Sequence, residues 1–151
     1  MSNLILKINR ETFEPVLKKV HNTFWKKAYQ KLSRKISALK SSLKRRAEES
    51  NLDFNVELVD LKKLFLDNYG TQCKYCDKKL TIHNIACDHI VPMAKGGGSV
   101  MENLQLICGT CNRRKGHLDE KDFELLMQLV EELPEELCSY VMRKLAKGGK
   151  Y

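Results

Sequence analysis

The sequence predicts an α+β fold, with a small two-strand centre stapled by cysteine pairs and long helices on either side. Three observations predict it. Cys73-x-x-Cys76 and Cys108-x-x-Cys111 stand as two pairs at metal-ligand spacing. Between them lie two short runs rich in Ile, Val and Leu, residues 85–92 and 104–107, which read as two strands of a hairpin-like unit. Before and after this region, apolar residues recur every three or four positions, the period of one helix face.

The first helical stripe runs through Phe13, Leu17, Val20, Phe24, Ala28, Leu32, Ile36, Leu39 and Leu43, with Thr12 as N-cap and Pro15 in the first turn. Lysines and arginines fill its other faces, and Trp25 and Tyr29, one turn apart, read as core residues. A helix of this length must bury its stripe somewhere. It folds back on the downstream domain, pairs with a second copy to make a homodimer, or breaks near Ser33, Ser37, Ser41 and Ser42; the sequence leaves all three open. Residues 48–55 are polar and read as a linker. A second amphipathic helix follows, with Val56, Val59, Leu61, Leu64, Phe65 and Leu66 apolar and Gly70 at its end.

Lys95-Gly96-Gly97-Gly98-Ser99, between the two strands, reads as a flexible loop. A helix is expected to start at Asn112 and reach about Gly116. Another spans 119–133, and Pro134 opens a last one to about Lys147. The expected organisation is a basic helical arm at 1–55, a core at 56–117 and a helical extension at 118–151.

Composition narrows the function classes. The chain has 151 residues, 42% of them hydrophobic and 30% charged, ordinary for one compact domain plus an arm. It lacks a long apolar run and a cleavable leader, so the expectation is a cytoplasmic protein in a reducing interior, with no membrane contact. There the six cysteines read as ligands or thiols rather than disulfides. Cys87 and Cys138 have no partner at ligand spacing and read as inert thiols. The net charge is +8, concentrated in residues 1–50 with 13 basic and 4 acidic side chains. A polyanion such as nucleic acid fits that arm, and a solvated helix face is the plainer reading. The last segment is acidic, which makes its helices a candidate docking face for a protein partner.

Zinc takes tetrahedral thiolate sets, and a two-residue gap lets both sulfurs of a pair reach one ion. Cys73, Cys76, Cys108 and Cys111 are therefore expected to hold a structural Zn2+ with no open position for water. Metal binding would then contribute to folding.

Between and after these pairs stand Asp88-His89-Ile90-Val91-Pro92, Gly96-Gly97, Glu102-Asn103-Leu104-Gln105-Leu106 and Asn112-x-x-Lys115-Gly116. With the cysteines, this pattern resembles the HNH endonucleases, the zinc-containing branch of the ββα-metal superfamily. It covers about a third of the chain, and leaves residues 1–50 and the last thirty or so outside it. The resemblance implies a two-strand, one-helix metal site and hydrolysis of phosphodiesters in DNA, with RNA left open, by a single divalent metal. A phosphodiester hydrolase must deprotonate a water, neutralise phosphoryl charge and stabilise a departing alkoxide. His89, with an ordinary pKa near 6.5, suits the first task. Asp88 would bind the catalytic metal, completed by the carbonyl oxygen of Asn112. Neighbours on a regular strand point to opposite faces, so a turn or bulge is expected to aim Asp88 and His89 at one phosphate.

Asn103 matches the middle asparagine of the family, which ties down the glycine loop and the histidine backbone. Asn112 stands where the second histidine of the family name would be, which favours Mg2+ or Mn2+ over softer metals. His117, about 140° from Asn112 around a helix, is rejected as a ligand, whereas Lys115, about 60° away, is expected to contact phosphate. Arg113, Arg114 and Lys95 are further candidates for nucleic-acid contact, and His21 and His83 read as ordinary surface histidines. The alternative to an enzyme is a non-catalytic, zinc-dependent module that binds nucleic acid.

Overall fold

The computed structural model describes residues 23–147. The expectations for Thr12, Pro15, His21, the front of the first helix and the last four residues lie outside them, as does the side chain of Trp25. The elements are α1 (Thr23–Glu49), β1 (Phe54–Asn55), α2 (Leu58–Asn68), β2 (Gln72–Cys73), β3 (Cys76–Lys79), β4 (Ile85–His89), β5 (Ser99–Val100), β6 (Leu104–Cys108), α3 (Gly109–Lys115), α4 (Glu120–Glu131) and α5 (Glu135–Leu145), with single 3-10 turns at Met93–Lys95 and Met101–Asn103. The antiparallel pair β4–β6 followed by α3 forms the ββα core that the motif implies.

α1 runs through its serines without a break; Ser41 Oγ donates to the Ser37 carbonyl one turn back, which the helix accommodates. Of the three fates open to its stripe, the described part takes the first. Ile36 and Leu43 are buried in the same cluster as Val56, Leu61, Phe65, Ile85, Leu106 and Ile107, with Leu32 and Leu39 packed against it. The core therefore crosses the boundary expected at residue 55. Lys35 adds a polar clamp, its Nζ donating to the carbonyls of Ile82 (2.9 Å) and Ile85 (3.0 Å).

Residues 48–55 are not a plain linker. α1 extends to Glu49, and Phe54–Asn55 pair in parallel with Ser99–Val100. This pairing was not legible, because a two-residue strand has no periodicity of its own. The glycine loop is likewise a built structure. Gly97 N donates to the Pro92 carbonyl at 3.1 Å, and a Cβ at Gly97 would run into the Val91 carbonyl. Gly96 takes the left-handed conformation that closes the Met93–Lys95 turn.

The strand expected to reach residue 92 ends at His89, and α3 starts at Gly109, three residues before the expected Asn112. Cys108 caps it, its sulfur accepting from Cys111 N; a helix N-terminus inside the cysteine pair is what shifts the start. α4 and α5 bury Phe123, Met127, Val130 and Leu145. Among the described residues no helix is long and apolar enough to cross a membrane.

Candidate active site and metal centre

The β2–β3 turn carries Cys73 and Cys76, and the junction of β6 with α3 carries Cys108 and Cys111. The four sulfurs lie within 4.8 Å of one another. Cys76 Sγ and Cys108 Sγ are 3.7 Å apart, close to the edge of about 3.8 Å that tetrahedral zinc with bonds of about 2.3 Å requires. The set fits one tetrahedral metal ion such as zinc. Backbone amides already point at it, Cys108 N to Cys73 Sγ at 3.3 Å and Cys111 N to Cys108 Sγ at 3.4 Å. Burial pushes the Cys76 and Cys111 thiols up, and a metal ion held there would displace their protons. Cys87 stands apart from this set, its thiol pushed up to about 12, first by burial and then by Asp88.

Asp88 and His89 end β4. The register from Ile85↔Cys108 to His89↔Leu104 runs without a shift, so the expected bulge is absent and the two side chains leave opposite faces of the strand. Asp88 turns towards α3. The residue is 6% exposed, and its carboxylate accepts from Gln105 Nε2 at 2.9 Å and from Lys115 Nζ at 3.0 and 3.3 Å. Burial pushes its carboxyl up, while Gln105 and Lys115 pull the other way. Lys115 also donates to the His89 carbonyl at 2.7 Å. Through this one ammonium the carboxylate and the histidine backbone are joined.

The side chain of Lys115, expected to contact phosphate, is 0% exposed and is answered by Asp88 and the His89 carbonyl. The helical wheel gave the angle to Asn112 but not the depth of the groove between α3 and β4. Asn112 precedes Lys115 by three residues on the same side of α3, half-buried, with its carbonyl accepting from Gly116 N. His117 lies beyond the end of α3, exposed, so the wheel that rejected it does not extend that far.

His89 turns the other way, towards β5. Nε2 is 2.9 Å from Ser99 Oγ, and both residues are buried. Burial, then the charges of Arg46 and Lys115, push the ring down to about 4. The imidazole is therefore neutral at physiological pH. Asn103 Oδ1 accepts from Val91 N at 2.8 Å, and its Nδ2 donates to the carbonyls of Val91 (3.0 Å) and Gly98 (2.9 Å). One amide thus spans the segment after His89 and the glycine loop.

The remaining candidates for nucleic-acid contact each have protein partners. Lys95 Nζ is held by Asp119 (2.9 Å) and Asp122 (2.8 Å), so its charge is already answered by α4. Exposed Arg113 donates from Nε to the Ala146 carbonyl at 3.3 Å, and Arg114 donates in the same way to Met142 at 3.2 Å.

Four contributors were missed in the sequence. Gln105 faces Asp88 directly across the β4–β6 ladder, and the Leu-Gln-Leu run did hold one polar residue between two apolar ones. Tyr75, inside the first cysteine pair, accepts from Gln105 Nε2 at 3.3 Å and donates to Glu120 at 3.4 Å. A polar chain thus leads from the β2–β3 turn to Asp88. Ser99 was read as part of a flexible loop. Arg46, half-buried in the last turn of α1, acts on His89 from a part of the chain remote in sequence; no sequence signal marks it among the other basic residues.

Set beside known families, residues 73–127 match the model described as HNH endonuclease. The matched segment holds all four cysteines, Asp88, His89, Asn103, Asn112 and Lys115, and continues into α4. A 47-residue stretch is 45% identical to the CRISPR-associated endonuclease Cas9 of Corynebacterium diphtheriae, over 30% of this chain and 4% of that protein. The chain therefore spans a small fraction of that relative, and both likenesses point to a nuclease.

Proposed function

We propose that this protein is a metal-dependent endonuclease that hydrolyses phosphodiester bonds in DNA, with His89 as general base and a structural Zn2+ in the four-cysteine site. The observation that carries the reading is the buried Asp88–His89 pair that ends β4, its carboxylate facing α3 and its imidazole facing β5, inside a segment that matches the HNH endonucleases.

A carboxylate from β4 and an amide oxygen from the facing helix are hard donors of the kind Mg2+ and Mn2+ take, so the residues present fit such an ion. When bound, it would supply Lewis-acid stabilisation of the phosphoryl and leaving oxygens. Asp88 and Asn112 are the residues that would hold it, with Asp88 shared with the Lys115 ammonium. His89 takes a proton from the attacking water; the water oxygen bonds to phosphorus as the bond to the leaving oxygen breaks, and that oxygen takes up a proton from solvent. Asn103 keeps the loop around His89 in place. Exposed Lys27, Lys31 and Arg34 on α1 supply positive charge for the DNA backbone.

A plasmid-cleavage assay with Mg2+ and Mn2+ tests this. His89→Ala is expected to lower the cleavage rate on the order of 10²- to 10⁴-fold while DNA binding stays unchanged. One observation favours a second reading, a non-catalytic zinc module that binds nucleic acid: Lys115 and Gln105 already occupy the Asp88 carboxylate. DNA binding by the wild type without cleavage under either metal would establish that reading instead.

A further inference from the structure

We infer that Ser99 is a positioning residue for His89: its hydroxyl engages Nε2 and leaves Nδ1 as the nitrogen that takes the proton from water. The inference rests on the nuclease reading for its catalytic part and on geometry for the rest.

Ser99 is 0% exposed and its Oγ lies 2.9 Å from His89 Nε2. That side of the ring is closed to water. Nδ1 makes no hydrogen bond among the described residues. A neutral imidazole can accept a proton only at its unprotonated nitrogen. If the base is Nδ1, the ring proton sits on Nε2 and Ser99 Oγ accepts it. The opposite tautomer, with Ser99 donating to Nε2 and a proton on Nδ1, could take no proton from water at either nitrogen.

Both partners are held firmly enough for this bond to select one ring orientation. The His89 backbone is fixed by its pairing with Leu104 and by Lys115 at its carbonyl. Ser99 is fixed from outside the hairpin, because its amide donates to the Asp53 carbonyl at 2.8 Å and β5 lies in parallel register with β1. At Gly98 a Cβ would stand 3.0 Å from the Asp53 carbonyl oxygen, tighter than side chains normally pack, so glycine lets β1 approach. The segment after α1, which the sequence presents as a linker, thereby sets the depth of the serine against the histidine.

The test uses the full chain loaded with zinc and labelled with 15N at histidine. Long-range 1H–15N correlation at neutral pH, without substrate, reads the His89 tautomer. A proton on Nε2 is expected, and a proton on Nδ1 overturns the proposal without any variant. In Ser99→Ala the single Nε2–H form is expected to give way to a mixture. Single-turnover cleavage by Ser99→Ala is expected to slow on the order of tenfold or more with DNA affinity unchanged. An unaltered tautomer and rate in that variant would overturn the proposal too. If the wild type cleaves nothing, the nuclease reading fails while the tautomer measurement still decides what Ser99 does.

Discussion

Lys115 shows how much can ride on one side chain. Its ammonium is wholly buried, and three oxygens from Asp88 and His89 answer it. A buried ion pair is weak evidence of net stabilisation, because desolvating both charges offsets their attraction. Removing one partner is another matter, since the other stays behind unpaired. Lys115→Met is expected to destabilise the zinc-loaded protein by about 3–5 kcal/mol in urea denaturation. Asp88→Asn combined with Lys115→Met should cost less than Lys115→Met alone. Equal or greater loss in the double variant would mean that the lysine acts through packing of its stem rather than through charge. The residue type at 115 was legible from the motif; its depth was not, because helical angle says nothing about how closely a facing strand approaches.

At the scale of elements, the short strands do not stand by themselves. β2 and β3 number two and four residues and shift register between Gln72 and Cys73, and hairpins of that size are marginal without further support. The sulfurs supply it. Cys73, Cys108 and Cys111 belong to the main apolar cluster as well as to the metal set, so the proposed zinc site is part of the core. Chelation is therefore expected to unfold the β2–β3 turn and the start of α3 and to loosen the core, with the amide signals of residues 70–115 lost in a 1H–15N spectrum and restored by Zn2+. Retention of those signals after complete zinc removal would show that packing alone holds the turn. The cysteine spacing made the site readable in advance. The turn that presents the first pair was not, because Lys74-Tyr75 carries no strand pattern and its role lies in contacts with Glu120, Glu124 and Gln105.

Across the whole molecule, one apolar cluster joins α1 to the ββα unit, while α4 is held by polar bridges and by Phe123 edge-on against Tyr75, and α5 by Arg113 and Arg114 on its carbonyls. Lys74 reaches Glu120 and Glu124, Lys95 reaches Asp119 and Asp122, and Glu120 N donates to the Ile90 carbonyl. The acidic charge of the last segment, read from sequence as a docking face, is thus partly spent on the molecule's own lysines. Leu43, 0% exposed in the α1 stripe, tests the shared core. Leu43→Ala is expected to lower stability by about 2–5 kcal/mol. Far-UV circular dichroism and the absorption of a Co2+-substituted site should then shift to the same lower urea midpoint. If the helical signal moved and the metal signal stayed, α1 would be a separately melting arm.

Read without coordinates, the chain already disclosed the four cysteines that come together, the Asp-His pair, both asparagines and the helical flanks. Each of these is written in residue type and short spacing, and short spacing is what a tight turn or a helix converts directly into geometry. Contacts between distant segments decided the rest: which face each of Asp88 and His89 takes, the burial of Lys115, the seat of Ser99 against the imidazole, and the packing of α1. Those depend on strand register and on how closely backbones approach, and burial then sets the charge state of each group. The free energy that selects them belongs to the assembled core and is carried by no local stretch of sequence.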